Sequence, residues 1–463
     1  MKNFTIIAML LLSLGVVSVI PFSDAAEANQ ICIDKVWIEN SKGKIACVIP
    51  TTADKLVQRG WGTLLDDVTP VDESLTGLEK ELTLLSEHDG GVGPLTITPI
   101  IGETTKQYFE FYIPGTEELD ENEMRIFACG TGSPWVMIGQ AASCFLLQTA
   151  DGHNLIFDLG GGSVGNLNTL GIPGNEMTHV FASHLHVDHI GGLPTFWGQA
   201  FMMGRSAPIE LYGPSGPDEH LGTSAFVDGF MENWAWDLES KRGEAPKSVH
   251  QINVHEFDYS VTQVVYEKDG LTVTSFPAVH AIDGPVSYRI DWNGMSVIYS
   301  GDTTLNDFLL ENSMNVDVLI LQVSPSAEQM SRLFGFSPEL ATKLTSHVHI
   351  APEAAGVAFY VTQPRLPVIF HMNLFDDEIV PDAYTNIRKY YDDPVVIAQD
   401  RTVINVTPDY AVIRQAQVDP LTTPAYTPFG EIDEEKVYFF SDWLEESIVD
   451  VEQLKQEIDD GKK

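Results

Sequence analysis

The fold is decided by the stretch from Thr178 to Leu193, where the apolar run His179-Val180-Phe181-Ala182 leads into His184-x-His186-x-Asp188-His189 and then Gly191-Gly192. Alternate side chains of an extended chain point the same way, so His184 and His186 project together. Asp188 and His189 follow at the turn into the two glycines, where the backbone can direct them toward a second centre. Three imidazoles and a carboxylate within six residues suit Zn²⁺. The stretch therefore predicts a metal site at the end of a strand.

Further segments on both sides of this stretch have the pattern of a strand that ends in a turn. They are residues 124–134, 155–162, 211–216, 276–280 with 287–290, 297–303, 349–353 and 368–371. Together with the histidine stretch they resemble the metallo-β-lactamase-fold hydrolases of the ribonuclease Z and arylsulfatase-like branch, over about residues 108–410. Segments 113–119, 236–238, 254–259 and 280–288 are also similar to the hydrolases associated with guanitoxin biosynthesis. The resemblance implies an α/β fold, a four-layer αββα sandwich.

The resemblance also implies a ligand set for two divalent cations. One cation would be held by His184, His186 and His280, and the other by Asp188, His189 and His371, with Asp302 between them. Two cations about 3.5–4 Å apart need such an anionic bridge. Zinc is the expected metal, and the same ligands accept iron or manganese.

Two residues are implied to take part in catalysis beyond holding metal. His349, in the segment 349–353, is expected to protonate the leaving group or to hold the developing oxyanion. Asp188 is expected to orient the attacking hydroxide as well as to bind metal. His347 is a rival for the acid role because it lies two residues before His349. The remaining candidates have no motif role and are interpreted as structural or exposed: His153, His179, His250 and His255.

The expected reaction is hydrolysis of a small phosphodiester, sulfate ester or related ester by a metal-bridging hydroxide. A lactonase or β-lactamase-type hydrolase is the first alternative. A tRNA 3′-processing ribonuclease Z is disfavoured, because the two-residue turn signal Asn293-Gly294 occupies the place where those enzymes carry a long arm. A metal-bound envelope binding protein without catalysis is the alternative from another functional class.

Composition and charge restrict the partners. The chain has 463 residues, of which 44% are hydrophobic and 20% charged, which excludes collagen-like, coiled-coil and wholly disordered chains. Its formal net charge of −40 disfavours nucleic acid and anionic lipid surfaces. The expected partner is a small-molecule ester, and the composition leaves homo-oligomerisation open.

The N-terminus has the features of an export signal. Lys2 precedes an apolar run over residues 5–20, and Ala26-Glu27-Ala28 fits a cleavage site. Residues 1–28 are therefore predicted to be a signal peptide, with an uncleaved anchor as the alternative. The mature chain is expected to be exported to a periplasmic, pseudoperiplasmic or extracellular space and to have no membrane span after signal cleavage.

The four cysteines fall into two pairs. Cys32 and Cys47 flank a predicted hairpin in the module 29–64, and a bridge between them is the preferred pairing. Cys129 and Cys144 lie on two further predicted strands and either pair or remain buried thiols. The module resembles one found near the N-terminus of some exported archaeal proteins.

The rest of the chain is divided by composition. Residues 65–107 are predicted to be a linker or extended arm, 108–415 the hydrolase domain, and 416–463 a tail with an acidic helix. In the tail, Trp443, Leu444, Ile448, Val451 and Leu454 recur at helical spacing and are expected to pack against the main domain. The aromatic residues of 217–262 are interpreted as either a wall over the metals or the core of a helical insertion: Phe226, Phe230, Trp234 and Trp236.

Overall fold

The structure is a computed structural model that divides the chain into two compact units, Met1–Ile97 and Thr98–Lys463. It describes the backbone of residues 36–40, 45–48 and 62–64, and residues 100–461 apart from 105, 110, 136, 424, 429–431, 433–434 and 437–439. The predicted signal peptide and Cys32 lie outside the described residues. Within the described part, no helix has the length and apolarity needed to cross a membrane.

The first unit contains a small antiparallel sheet. Strand β1 (Val36–Asn40) pairs with β2 (Ile45–Val48) on one side and with β3 (Gly62–Leu64) on the other. Val36 lies opposite Val48, so β1 and β2 form the hairpin that the sequence predicts between the two cysteines. The predicted Cys32–Cys47 bridge stays a prediction, because it falls on residues outside the described part.

The second unit alternates strands and helices. Its strands are β4 (Ile100–Gly102), β5 (Phe111–Tyr112), β6 (Met124–Gly130), β7 (Cys144–Thr149), β8 (Asn154–Phe157), β9 (His179–Phe181), β10 (Ile209–Pro214), β11 (Ile252–Phe257), β12 (Gln263–Lys268), β13 (Leu271–Pro277), β14 (Val286–Trp292), β15 (Met295–Tyr299), β16 (Val318–Gln322), β17 (Leu366–Phe370), β18 (Val396–Ile397), β19 (Thr402–Val406) and β20 (Tyr410–Ala416). Its helices are α1 (Ser163–Asn168), α2 (Val187–Ile190), α3 (Leu193–Gly198), α4 (Ala200–Met203), α5 (Thr223–Asn233), α6 (Ala235–Ser240), α7 (Asp307–Asn312), α8 (Ala327–Phe334), α9 (Pro338–His347), α10 (Pro352–Thr362), α11 (Ile379–Ile387), α12 (Asp442–Glu445) and α13 (Val451–Asp459).

These strands form two mixed sheets. The first runs β11-β10-β9-β8-β7-β6-β19-β20-β4, with β5 also on β20, and the second runs β12-β13-β14-β15-β16-β17-β18. In each sheet, parallel pairs lie where a helix connects consecutive strands, as between β8 and β9 or between β16 and β17. Consecutive strands that are joined by a tight turn pair antiparallel, as β14 and β15 do.

The side chains of β6 show how the layers are built. Ile126 and Ala128 pack between the two sheets, against residues of the second sheet such as Tyr288. Phe127 and Cys129 point the opposite way, into a core shared with α1 and α3. A third core lies on the outer face of the second sheet under α10 and α11. The order is therefore helix, sheet, sheet, helix, and the predicted αββα sandwich is confirmed.

A disulfide joins two neighbouring strands of the first sheet. Cys129 on β6 is bonded to Cys144 on β7, and both residues are fully buried. The sequence left open whether these cysteines pair, and the structure shows that they do. A buried bridge of this kind is typical of chains that fold in an oxidising compartment.

We expect removal of this bridge to destabilise the second unit. The bridge closes a loop with a sequence separation of 15, for which the chain-entropy estimate is about 3 kcal/mol. The double variant Cys129→Ala/Cys144→Ala should therefore lose about 2–4 kcal/mol of unfolding free energy in urea titrations. The control is the wild-type chain with dithiothreitol, which should converge on the variant. A variant as stable as the oxidised wild type would contradict the expectation.

The boundary predicted at residue 108 lies too late in the sequence. Strand β4, within the predicted linker 65–107, pairs with β20, and Lys106 forms a 2.6 Å ion pair with Glu123. Glu123 is fully buried and also accepts hydrogen bonds from Tyr108 and Asn405. Lys106, near the end of the predicted linker, thus belongs to the polar network around Glu123.

The Lys106–Glu123 pair should make stability depend on pH. Burial alone would raise the pKa of Glu123, but hydrogen bonds from the Asp120 N–H, Lys106 and Tyr108 hold it below its usual value. A lowered folded-state pKa adds stability above the unfolded value of about 4.3, and this is lost as the pH falls. Lys106→Met should therefore lower the free energy of unfolding, measured by denaturant titration, by about 1–3 kcal/mol at pH 7. The difference should become progressively smaller below pH ~4. Lys455→Met, at an exposed pair, is the control. A pH-independent difference would contradict this account.

The C-terminal apolar stripe does not pack as predicted. Trp443, Ile448 and Val451 are 70%, 64% and 58% exposed. The spacing argument assumes one helix, whereas the structure has two short ones, α12 and α13, separated by residues 446–450. The five periodic side chains therefore do not share one helical face.

Candidate metal centre

The predicted ligands gather where strands of both sheets end. His184 and His186 follow β9, and His186 immediately precedes α2, which carries Asp188 and His189. From the second sheet, the ligand residues follow β13, β15 and β17: His280, Asp302 and His371. The ends of different strands meet at one edge of the sandwich, so residues distant in sequence face the same small space.

The first group consists of His184, His186, His280 and Asp302, whose ligand atoms all lie within 4.8 Å of one another. The Nδ1 atom of His186 is 2.9 Å from Nε2 of His184 and 3.2 Å from Nε2 of His280. The Asp302 Oδ2 atom is 3.7 Å from Nε2 of His280.

The second group consists of Asp188, His189, Asp302 and His371, again within 4.8 Å. The Asp302 Oδ1 atom is 3.3 Å from Nε2 of both His189 and His371, and Asp188 Oδ2 is 3.4 and 3.2 Å from the same two nitrogens. Asp302 therefore offers one oxygen to each group. The structure brings together all seven predicted ligands in the two predicted sets.

The geometry of these groups fits divalent cations. Ligands about 2.0–2.2 Å from a tetrahedral cation lie about 3.3–3.6 Å from one another, close to the separations in the second group. Nε2 of His189 and Oδ1 of Asp302 are buried and have no hydrogen-bond partner among the residues that the structure describes. Burial alone would lower the pKa of His189. The carboxylates of Asp302 and Asp158 outweigh this effect and hold the pKa well above its usual value. The position therefore favours a positive charge.

Charges around the site hold its carboxylates ionised. Burial would raise the pKa of Asp302, but the neighbouring His371 and His189 hold it well below its usual range. Burial would likewise raise the pKa of Asp188, but the neighbouring His189 and His371 hold it well below its usual range. Burial also lowers the pKa of His184, so its neutral imidazole presents a lone pair.

Asp158 positions two of the histidines, a role that the sequence motif did not reveal. Its Oδ2 accepts from Nδ1 of His189 at 2.6 Å and from the hydroxyls of Ser183 and Tyr299, each at 2.7 Å. Since the Ser183 hydroxyl donates to Asp158, it can accept from Nδ1 of His184, 3.0 Å away. Both imidazoles then direct Nε2 into the site. Asp158 directly follows β8 and has a φ of 57°, and His371 directly follows β17 and has a φ of 75°. Two residues of the site therefore have a strained backbone conformation.

His349 lies beside the shared carboxylate, and His347 does not. The Nδ1 atom of His349 is 3.7 Å from Asp302 Oδ2, and its ring centroid is 5.0 Å from that of His280. When the Gln322 amide is turned to satisfy its neighbours, its oxygen accepts from the same Nδ1 at 3.3 Å, which leaves Nε2 of His349 for other contacts. Burial lowers the pKa of His349 to about 4. His347 ends α9, is exposed, and hydrogen-bonds to Ser346.

The other histidines lie away from the ligand groups, and the aromatic residues of the insertion occupy different environments. His153, His179, His250 and His255 lie outside both ligand groups. Phe230 is buried in the core and packs edge-on against Trp197. Phe226 lines the cavity at the metal ligands, whereas Trp236 is 82% exposed. Both interpretations of these aromatics are therefore partly right, each for a different residue.

The fold and the site together define a protein of the metallo-β-lactamase fold. More particularly, residues 124–329 match the family model described as Anti-Pycsar protein Apyc1. Ribonuclease Z of Haloferax volcanii is 26% identical over 314 residues, which cover 61% of this chain and 95% of that protein. Ribonuclease Z of Bacteroides fragilis is 28% identical over 164 residues, covering 35% of this chain, and the chain spans only 48% of that relative. The metallo-β-lactamase fold protein YhfI of Bacillus subtilis has a TM-score of 0.47 and 18% identity, with 62% of this chain and 100% of that chain covered.

We expect Asp158→Asn to weaken metal binding. The substitution keeps the size of the side chain but removes the charge that holds Nδ1 of His189, so affinity should fall about 10–100-fold in competition titrations with a chelator. Tyr299→Phe removes one hydrogen bond to the same carboxylate and should have a smaller effect. Asp291→Asn, at a pair with Arg289 on β14, is the matched control. Unchanged affinity in Asp158→Asn, with an unchanged melting temperature, would show that Asp158 does not position the ligands.

Proposed function

We propose that this chain is an exported, metal-dependent hydrolase that cleaves a small phosphodiester, with two divalent cations, expected to be zinc, held by the two ligand groups. The observation that carries the proposal is the pair of His/Asp groups that share Asp302 beside a cavity of about 300 Å³. Dinuclear sites of this kind serve phosphatases and nucleases, in which paired cations hold both the attacking and the leaving oxygen. Two relatives bear the name ribonuclease Z, and ribonucleases cleave phosphodiesters.

The chain's own residues supply the rest of the chemistry. Two bound cations would offset the charge of the phosphodiester and make water a stronger nucleophile. The Asp188 carboxylate would accept a hydrogen bond from the attacking water or hydroxide and so orient it. Hydroxide oxygen bonds to phosphorus, the bond to the leaving oxygen breaks, and that oxygen takes a proton from the imidazolium form of His349, which is a minor form near neutral pH and is reprotonated by water. The products are an alcohol and a phosphomonoester, and no electron transfer is involved.

A small substrate is supported by the turn between β14 and β15. Trp292 pairs directly with Met295, and the two residues between them, Asn293 and Gly294, have φ of 49° and 77°. These values form the tight hairpin turn that the sequence predicted, so no arm is inserted there. Together with the net charge of −40, this turn argues against tRNA as the substrate.

The proposal is tested with the full chain and its bound metal quantified. Bis(p-nitrophenyl) phosphate should be hydrolysed faster than p-nitrophenyl sulfate. Asp302→Asn, which weakens the shared ligand, should lose metal and about 10²-fold or more in kcat/KM. Faster cleavage of the sulfate would contradict the phosphodiester assignment and indicate a sulfate ester as the substrate. Two bound metals without cleavage of either compound would overturn it and favour the lactonase or binding-protein alternatives.

The role of His349 has a matched control two residues away. We expect His349→Ala to lower kcat about 10²–10⁴-fold with metal content retained, because the proton donor is lost and the metal ligands remain. His347→Ala, on an exposed side chain, should keep wild-type activity. Equal effects of the two substitutions, measured with bis(p-nitrophenyl) phosphate, would remove His349 from the mechanism.

Export is supported by the buried Cys129–Cys144 bridge together with the signal features of residues 1–28. The corresponding experiment is fractionation of cells that express the full chain. Recovery outside the cytoplasm, with the bridge oxidised on alkylation and mass spectrometry, is the expected result. A cytoplasmic chain with reduced cysteines would contradict export.

A further inference from the structure

The cavity at the metal ligands has an apolar side. His184, His186 and His280 form one wall. Leu221, Phe226 and Ile282 line the same cavity, and Leu221 and Ile282 are 49% and 60% exposed. An ester bound to the histidine side would thus present one of its substituents to apolar side chains.

A second cavity lies beside the first. It has a volume of about 430 Å³ and shares three lining residues with the first cavity: Leu185, Ala225 and Phe226. From there it runs between Val187 and Ile190 of α2 on one side and α5 on the other. We call this second cavity the α2–α5 groove. Because the two cavities share these side chains, the groove lies next to the cavity at the metal ligands.

The α2–α5 groove follows one face of α5. Ala225, Gly229 and Asn233 recur every four residues along it, and Trp234 lies at its far end. Eight residues of helix span about 12 Å. An extended carbon chain advances about 1.25 Å per atom, so this length accommodates roughly eight to ten carbons. No charged side chain lines the groove.

We propose that the substrate is an ester that carries an elongated, uncharged apolar chain, and that this chain lies in the α2–α5 groove. The inference rests on the proposed function, since it names the class of substituent that the hydrolysed phosphodiester bears. The phosphodiester group occupies the ligand side, and burial of the chain against Leu185, Phe226 and Trp234 supplies affinity. The chain takes no part in the bond changes.

The probes are n-alkylphosphonates, which carry the tetrahedral anion and cannot be hydrolysed as esters. Calorimetry with the metal-loaded full chain should show tighter binding from methyl- to butyl- to octylphosphonate, by about two- to fourfold per methylene. The gain should stop at about the length of the groove. Alkyl p-nitrophenyl phosphates of the same lengths should show a parallel rise in kcat/KM.

Gly229 permits a variant that fills the groove and still folds. A Cβ at this position meets nothing within 4 Å, and glycine inside a helix is unfavourable by up to about 1 kcal/mol, so Gly229→Leu should not destabilise α5. The variant should weaken octylphosphonate binding at least tenfold and change methylphosphonate binding less than twofold. Trp234→Ala should weaken the octyl ligand alone. Trp236→Ala, two residues on and outside both cavities, is the control.

The outcomes separate the inference from the proposed function. Hydrolysis of the methyl ester, with no increase in kcat/KM or affinity for longer chains, would overturn the inference about the groove and leave the proposed hydrolase function intact. Equal weakening of methyl and octyl ligands in Gly229→Leu would also overturn it. A metal-loaded chain that binds no phosphonate and cleaves no ester would overturn the proposed function itself.

Discussion

The site depends on the buried carboxylate of Asp302. It belongs to the second sheet, yet one of its oxygens lies 3.3 Å from His189, which the first sheet positions. A buried carboxylate with an unpaired oxygen is costly unless positive charge is nearby. The two sheets must therefore meet at one edge with enough accuracy to place imidazoles from both around this single group.

Glycines allow the ligand-bearing segments of the two sheets to approach each other closely. A Cβ on Gly301, the residue before Asp302, would lie 2.5 Å from the Cβ of Ser183, the residue before His184. Gly301 also has a φ of 54°, which other residues rarely adopt. On the first sheet, a Cβ on Gly160 would lie 2.3 Å from the carbonyl oxygen of Asp188. The glycine-rich turns of the motifs thus act by bringing ligand-bearing segments into contact.

The structure brings the predicted ligand residues together, and the sequence could indicate them because candidate metal ligands form a local pattern. His184, His186, Asp188 and His189 lie within six residues, and each remaining ligand follows its own apolar strand. Asp158 was visible only as part of a turn, since its role depends on a hydrogen bond to a residue 31 positions away. The α2–α5 groove left no comparable pattern, because it exists only after residues 185–194 and 225–234 pack together. The prediction for the C-terminal tail was wrong for a different reason. The apolar residues recur at helical spacing, but the helix is interrupted at residues 446–450.

The acidity of the chain and the apolar groove together restrict the substrate. A net charge of −40 repels anions over long distances, but at physiological ionic strength screening confines such fields to about 8 Å. Within that range, two bound cations would reverse the sign of the local field, so a single phosphodiester charge can be held where a polyanion would still meet the acidic surface elsewhere. An uncharged chain adds affinity through contact alone and is indifferent to the surface charge. The proposed substrate, with one charge and an apolar body, is compatible with both features, whereas a polyanion such as a nucleic acid would be repelled by the acidic surface.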